Sequence, residues 1–156
     1  MLNEQEIINR LVLHEGLRLM PYKDSKGLLT IGIGRCIATN PFSSEELKVI
    51  GDWKRGITRN AAYFLCRNDI ARCEKECNKS IPFFKDLDNE RQYALIDMCF
   101  NLGISRLLRF KNMLSALNQC LYNKAARECL ESKYAKDVGK RAERIANTIR
   151  TGKFIV

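Results

Sequence analysis

Glu15-Gly-Leu-Arg-Leu-Met-Pro-Tyr-Lys-Asp24-Ser-Lys-Gly-Leu-Leu-Thr30-Ile-Gly-Ile-Gly34 is the stretch from which the fold of this chain is read. Just before it, Asn3 followed by Glu6 has the pattern of a capping box, and Ile7, Ile8, Leu11 and Val12 form a helical stripe that stops at Gly16. Glu15 therefore falls at the end of a helix. Pro21-Tyr22 leads into Asp24-Ser-Lys-Gly27, whose leading Asp and closing Gly are the chemistry of a type I turn. Leu28 to Ile33 is a short β run, so the region predicts a hairpin or small sheet.

Downstream, Ser43-x-x-Glu46 opens a short helix that ends near Gly51. Thr58 is placed to cap a long helix running to about Lys79, ahead of Pro82. Its apolar positions, Ala62, Leu65, Cys66, Ile70, Cys73 and Cys77, make a narrow stripe flanked by charge, which suits a connector between lobes. Beyond Pro82 the pattern is wholly helical. Asp88 caps a segment with Ala94, Leu95, Met98, Cys99 and Leu102 inward, closed by Gly103. Leu107 to Phe110, Met113, Leu114, Leu117 and Leu121 continue the core, and amphipathic pieces follow over about 123–134 and 140–150, ending at Gly152. The expected architecture is α+β: a small N-terminal lobe with a sheet and a larger helical lobe.

With 156 residues, 46% of them hydrophobic, the chain is long enough to bury a core and is not expected to be disordered. The balance of 27 Lys+Arg against 18 Asp+Glu leaves +9, which favours a polyanionic partner: nucleic acid, an anionic membrane surface or an acidic wall polymer. The first ten residues lack the basic start and apolar run of a secretory leader, and no run approaches the roughly 18 apolar residues of a membrane span. Seven cysteines, an odd number, then predict free thiols in a reducing cytoplasm rather than a disulfide framework. Cys66, Cys73 and Cys77 share a helical face without an accompanying His, so they read as small buried hydrophobes rather than metal ligands, and no cofactor is expected.

Two carboxylates on different rigid elements, facing across a gap, are what hydrolysis of a glycosidic bond requires: one protonates the leaving oxygen, the other side supplies or activates the nucleophile. Glu15 can be tuned by burial and by basic neighbours, and Asp24 sits in a polar turn. Thr30, six residues on, can point its hydroxyl into the same gap and help hold a water. A plainer reading makes Glu15 a solvated helix-end acid and Asp24 a turn former; residue types and spacing leave both open.

Glu-Gly-x-Arg at 15–18, Tyr-x-Asp at 22–24 and Gly-x-x-Thr-Ile-Gly-x-Gly at 27–34 resemble the T-even phage lysozymes, which cleave the bacterial cell wall. Ile57-Thr58, Ala94-Leu95-Ile96 with Met98 and Phe100, and Arg150-Thr151-Gly152 extend the resemblance over nearly the whole chain. It implies one lysozyme-like domain over 1–156, with lobes of about 13–58 and of 80–156 plus 1–12, joined by a helix over 59–79. It further implies Glu15 as general acid, and Asp24 with Thr30 positioning the water that cleaves the β-1,4 bond between N-acetylmuramic acid and N-acetylglucosamine with inversion. Asn101 matches a substrate-contacting Gln, while Leu28, Gly34 and Phe100 are expected to line the cleft. Arg141 matches an arginine that pairs with the catalytic glutamate. Tyr134 replaces a family tryptophan.

The chain leaves the family pattern at two places. Arg35 stands where the family has His, and since the family's partner acid is kept as Asp69, an Arg35–Asp69 pair without the histidine's pH sensitivity is expected. Residues 37–53 do not match closely. His14, the single histidine, is not expected to be catalytic, because adjacent helical positions face different ways. The resemblance implies peptidoglycan as partner, a monomer, no stable membrane association, and access to the wall through a holin-type pore after synthesis in the cytoplasm. Two other classes fit the chain less well. A nucleic-acid-binding module would draw on the basic 133–150 tail, but aromatics are not interleaved with it. An inactive lysozyme-like binding protein is opposed by the intact Glu15, Asp24 and Thr30.

Overall fold

The computed structural model describes residues 3–156. In chain order these form helix α1 (Glu4–Glu15), strands β1 (Arg18–Lys23), β2 (Leu29–Gly32) and β3 (Arg35–Cys36), then α2 (Ser44–Ile50) and the long α3 (Arg59–Ser80). Helices α4 (Asn89–Leu102), α5 (Ile104–Leu107), α6 (Lys111–Asn118), α7 (Tyr122–Leu130), α8 (Lys133–Val138) and α9 (Lys140–Thr151) follow. This is the α+β architecture expected. By internal packing the chain divides into residues 3–71 and 72–156, and the boundary falls within α3.

In the first of these units, helix starts fall where local chemistry places them. Asn3 accepts from the backbone N–H groups of Gln5 and Glu6, and Ser43 and Glu46 close a reciprocal capping box on α2. The Thr58 hydroxyl accepts from the Ala61 N–H at 3.0 Å at the start of α3. The sheet is antiparallel in the order β1-β2-β3, pairing Tyr22 with Thr30 and Thr30 with Cys36. Ile31, Ile50, Ile57, Ala61, Ala62 and Leu65 form the core beneath it. Helix α1 belongs to this unit, whereas the sequence grouping attached residues 1–12 to the helical lobe. Its Glu4 pairs with Arg67 of α3 at 3.9 Å and its Glu15 packs on Gly34. Met1 and Leu2 of that grouping lie outside the described residues.

In the helical unit, α4 is buried along Tyr93–Cys99 and packs against α9, which also meets α7 and α8. Arg91 ties this end together: its Nε donates to the Ile149 carbonyl at 2.7 Å, and its guanidinium lies 3.4 Å over the Tyr122 ring. Two expectations are corrected. The amphipathic piece over 123–134 is two helices, because Ser132 caps α8 at Ala135 N–H while its hydroxyl donates to the Cys129 carbonyl at 2.6 Å. Leu121, expected in the core, is 46% exposed, because Cys120 takes a left-handed φ of 59° after α6 and turns the chain outward.

Every apolar position foreseen on α3 is buried. All seven cysteines are free thiols. Burial pushes the Cys66 and Cys129 thiols up to about 12, as befits small hydrophobes rather than reactive groups. Among the described residues there is no cluster of three or more side chains able to hold a metal ion, and no helix long and apolar enough to cross a membrane.

Candidate active site

Glu15 is the last residue of α1, and Gly16 ends the helix there with φ 77° and its N–H returned to the Val12 carbonyl. The half-buried Glu15 side chain lies against the backbone of Gly34, in the turn between β2 and β3. A Cβ on Gly34, whose φ is +65°, would come within 2.7 Å of the Glu15 carboxyl carbon and Oε2. The backbone conformation favours glycine here, and a side chain at this position would push the Glu15 carboxylate aside.

Asp24 opens the turn that joins β1 to β2. Its Oδ1 accepts from the N–H groups of Lys26 at 2.8 Å and Leu28 at 2.9 Å, and its carbonyl accepts from Gly27 N–H at 2.9 Å. Both side-chain bonds fall on Oδ1, so they fix the direction of Oδ2. Leu28 couples this carboxylate to Thr30: its N–H donates to Asp24, and its carbonyl accepts from the Thr30 hydroxyl at 3.0 Å. Thr30 itself is buried.

Tyr22 reports on both acids. Burial raises its phenol above the ordinary range, the charge of Glu15 adds to this, Arg18 opposes it and Asp24 raises it further. The Arg18 guanidinium sits 4.3 Å over the Tyr22 ring. Tyr22 pairs with Thr30 in the sheet, so the phenol is held beside the threonine and in the field of both carboxylates. In the sequence Tyr22 stands out only within the Tyr-x-Asp motif; its place beside Thr30 follows from the strand pairing.

Arg35 begins β3 and is buried. Its Nη1 meets Asp69 Oδ1 at 3.1 Å and Glu46 Oε2 at 2.9 Å, and its Nη2 meets Glu46 Oε1 at 2.7 Å. Nε and Nη2 also donate to the carbonyls of Asn40 and Pro41. Glu46 was foreseen only as a helix cap. Burial pushes its carboxyl up, but bonds from Arg35, the Ser43 N–H and Asn68 outweigh this and hold it down at about 2.

In the helical unit, Phe100 is half-buried and Asn101 exposed at the end of α4. Arg141 is buried and its Nε donates to Asp97 Oδ1 at 2.8 Å. Tyr134 is buried with its ring edge-on to Phe110, 5.9 Å between centroids. A groove of about 590 Å³, unforeseen from the sequence, is lined there by Arg109, Phe110, Lys111, Met113, Glu128 and Glu131. Its residues come from the 109–113 segment that leads into α6 and from the end of α7 with the turn after it, two stretches that only the fold brings together.

Residues 12–148 match the phage lysozyme family. The chain is similar to probable T4-type lysozyme 1 of Dictyostelium discoideum, 33% identical over 152 residues that span 88% of this chain and 89% of the relative. Probable T4-type lysozyme 2 of the same organism is 28% identical over 155 residues, with the same coverage of both chains. The pre-baseplate central spike protein Gp5 of Enterobacteria phage T4 is 30% identical over 151 residues, 88% of this chain and 26% of that protein.

Proposed function

From the premise that this chain belongs to the phage lysozyme family, and is a peptidoglycan-hydrolysing glycosidase, we propose that Glu15 is the general acid and that Asp24 with Thr30 positions the attacking water. The bond cleaved is the β-1,4 link from N-acetylmuramic acid to N-acetylglucosamine. Glu15 protonates the leaving oxygen while water attacks the anomeric carbon from the opposite face, with Asp24 accepting its proton. The observation that carries this reading is the Asp24–Leu28–Thr30 relay. One residue's backbone N–H and carbonyl hold a carboxylate and a hydroxyl in fixed relation, which is what two-point positioning of a water needs. Leu28, Gly34, Phe100 and Asn101 contact sugar in this reading, and Arg141 supports the acid. The biological act is lysis of a bacterial cell, host or target. The enzyme acts as a monomer, made in the cytoplasm and reaching the wall through a holin-type pore; seven free thiols fit synthesis in a reducing compartment.

Proton NMR of fresh digests tests the mechanism. Inversion at a β-linked carbon releases the α-anomer of a reducing muramic acid first. Initial β-anomer, or a 1,6-anhydro sugar, would overturn the proposed role of the water.

A further inference from the structure

The two places where the chain leaves its family's sequence pattern, Arg35 and the 37–53 segment, meet in one buried cluster. Arg35 carries five guanidinium N–H donors. They make five bonds: to Asn40 O, Pro41 O, Asp69 Oδ1 and both oxygens of Glu46. Glu46 is equally occupied. Oε1 accepts from Arg35 Nη2 and Ser43 N–H, and Oε2 from Arg35 Nη1 and Asn68 Nδ2. Arg35, Glu46 and Asp69 are each no more than 5% exposed. The Phe42 ring lies against the guanidinium, 5.3 Å from its centroid, and meets Trp53 edge-on. A planar fork held at every donor, in an environment that excludes water, has one position.

That position lies next to the acid. Arg35 is bonded directly to Gly34, and Gly34 is the residue whose Cα side faces the Glu15 carboxylate, which a Cβ there would displace. The far ends of the clamp are helical, Glu46 on α2 and Asp69 on α3, so the turn between β2 and β3 is referenced to two rigid elements rather than to its own short strands. β3 has two residues, and such a strand by itself sets its hairpin loosely.

We propose that Arg35 and Glu46 are positioning residues for catalysis: the Arg35–Glu46–Asp69 clamp pins Gly34 against Glu15 and thereby fixes where the acid's proton is delivered. The inference rests on the reading of Glu15 as general acid. The clamp touches no substrate. Its effect passes through the turn, and misplacing a reacting group by about 1 Å costs on the order of 100-fold in rate. It therefore acts on kcat rather than on binding.

The test uses soluble, uncrosslinked peptidoglycan strands at a temperature where circular dichroism shows each variant folded. Arg35→Lys, which keeps the charge and loses the fork, is expected to lower kcat roughly 10-fold or more with KM within about twofold. Glu46→Gln keeps the volume and one acceptor; it is expected to move kcat the same way and serves if Arg35→Lys does not fold. Gly34→Ala, combined with either, is expected to lose less than the product of the separate losses, because both changes release the same carboxylate. A lowered melting temperature with kcat unchanged in the folded variants would make the clamp a stability element alone and overturn the proposal, as would strictly multiplicative losses. Glu15→Gln separates the two ideas. If it is inactive while the clamp variants keep full kcat, only the clamp proposal falls; if it is as active as the parent, the general-acid reading falls and takes the clamp with it.

Discussion

In residues 3–71 the buried polar groups are Thr30, Arg35, Glu46 and Asp69; in residues 72–156 they are Asp97, Arg141 and Thr148, set among a much longer series of buried aliphatic and aromatic side chains. The first unit is small, and its sheet is short. It holds its candidate site residues by directional bonds: backbone donors on Asp24, a relay through Leu28, a guanidinium tied to two helices. The second unit is mostly apolar in its core, and its buried ion pair joins Arg141 of α9 to Asp97 of α4. The contrast is physical. Apolar packing specifies volume and tolerates small shifts, whereas hydrogen bonds specify angle and distance and lose strength quickly when either changes. Chemistry needs the latter, and stability is largely the former.

The contrast can be broken by experiment, most sharply at the acid. Glu15→Gln is expected to lower turbidity clearing of permeabilised bacteria by about 1,000-fold, the scale of a lost general acid, with an unchanged melting temperature. A comparable loss of stability would show that polar geometry and scaffold are not separable. The reverse case is Leu95→Ala at a 0% exposed position of α4. It is expected to cost about 3 kcal/mol of stability and roughly 10 °C in melting temperature, with kcat at 25 °C little changed. A large fall in kcat of that folded variant would mean the helical core also tunes the rate.

Acid titration sharpens the polar side. Glu46 lies at about 2 in the folded state against an ordinary 4.5, so the unfolded chain binds the extra proton between those values. The stabilisation is complete above about pH 4.5 and is lost as pH falls through about 2. Denaturant unfolding from pH 5 to pH 2 should show that slope in the parent and a flatter one in Glu46→Gln. The smallest effect concerns both units together. With +9 overall, lysis of whole cells should slow severalfold, at roughly the cost of screening, between low salt and 0.5 M. Salt-independent lysis would remove long-range charge from the account.

Helix starts were legible because their signals are local. Asn3, Ser43, Thr58 and Asp88 each cap within three residues of themselves, and α3's buried face could be counted off at helical spacing. The break at Ser132 was missed because a serine within an amphipathic pattern also reads as a surface position; its hydroxyl's bond back to Cys129 decides the matter. Glu46 was missed for a better reason. The capping box explained it completely, so nothing in the local pattern pointed to an arginine eleven residues earlier. Leu121 was misplaced because a left-handed cysteine at 120 is not a conformation its residue type announces.

Glu15, Asp24 and Thr30 were singled out in the sequence by family resemblance, since type and spacing left a plainer reading open, whereas the helix–hairpin–helix order that carries them was legible in the residues themselves. These are properties of near neighbours along the chain, where capping, turn chemistry and periodicity act. The tertiary structure alone decided that Leu28 links Asp24 to Thr30, that Gly34 lies against the Glu15 carboxylate, and that Arg35 meets Glu46 as well as Asp69. Such contacts depend on where a buried charge finds enough partners to offset its lost hydration, and that is settled by the packing of whole elements.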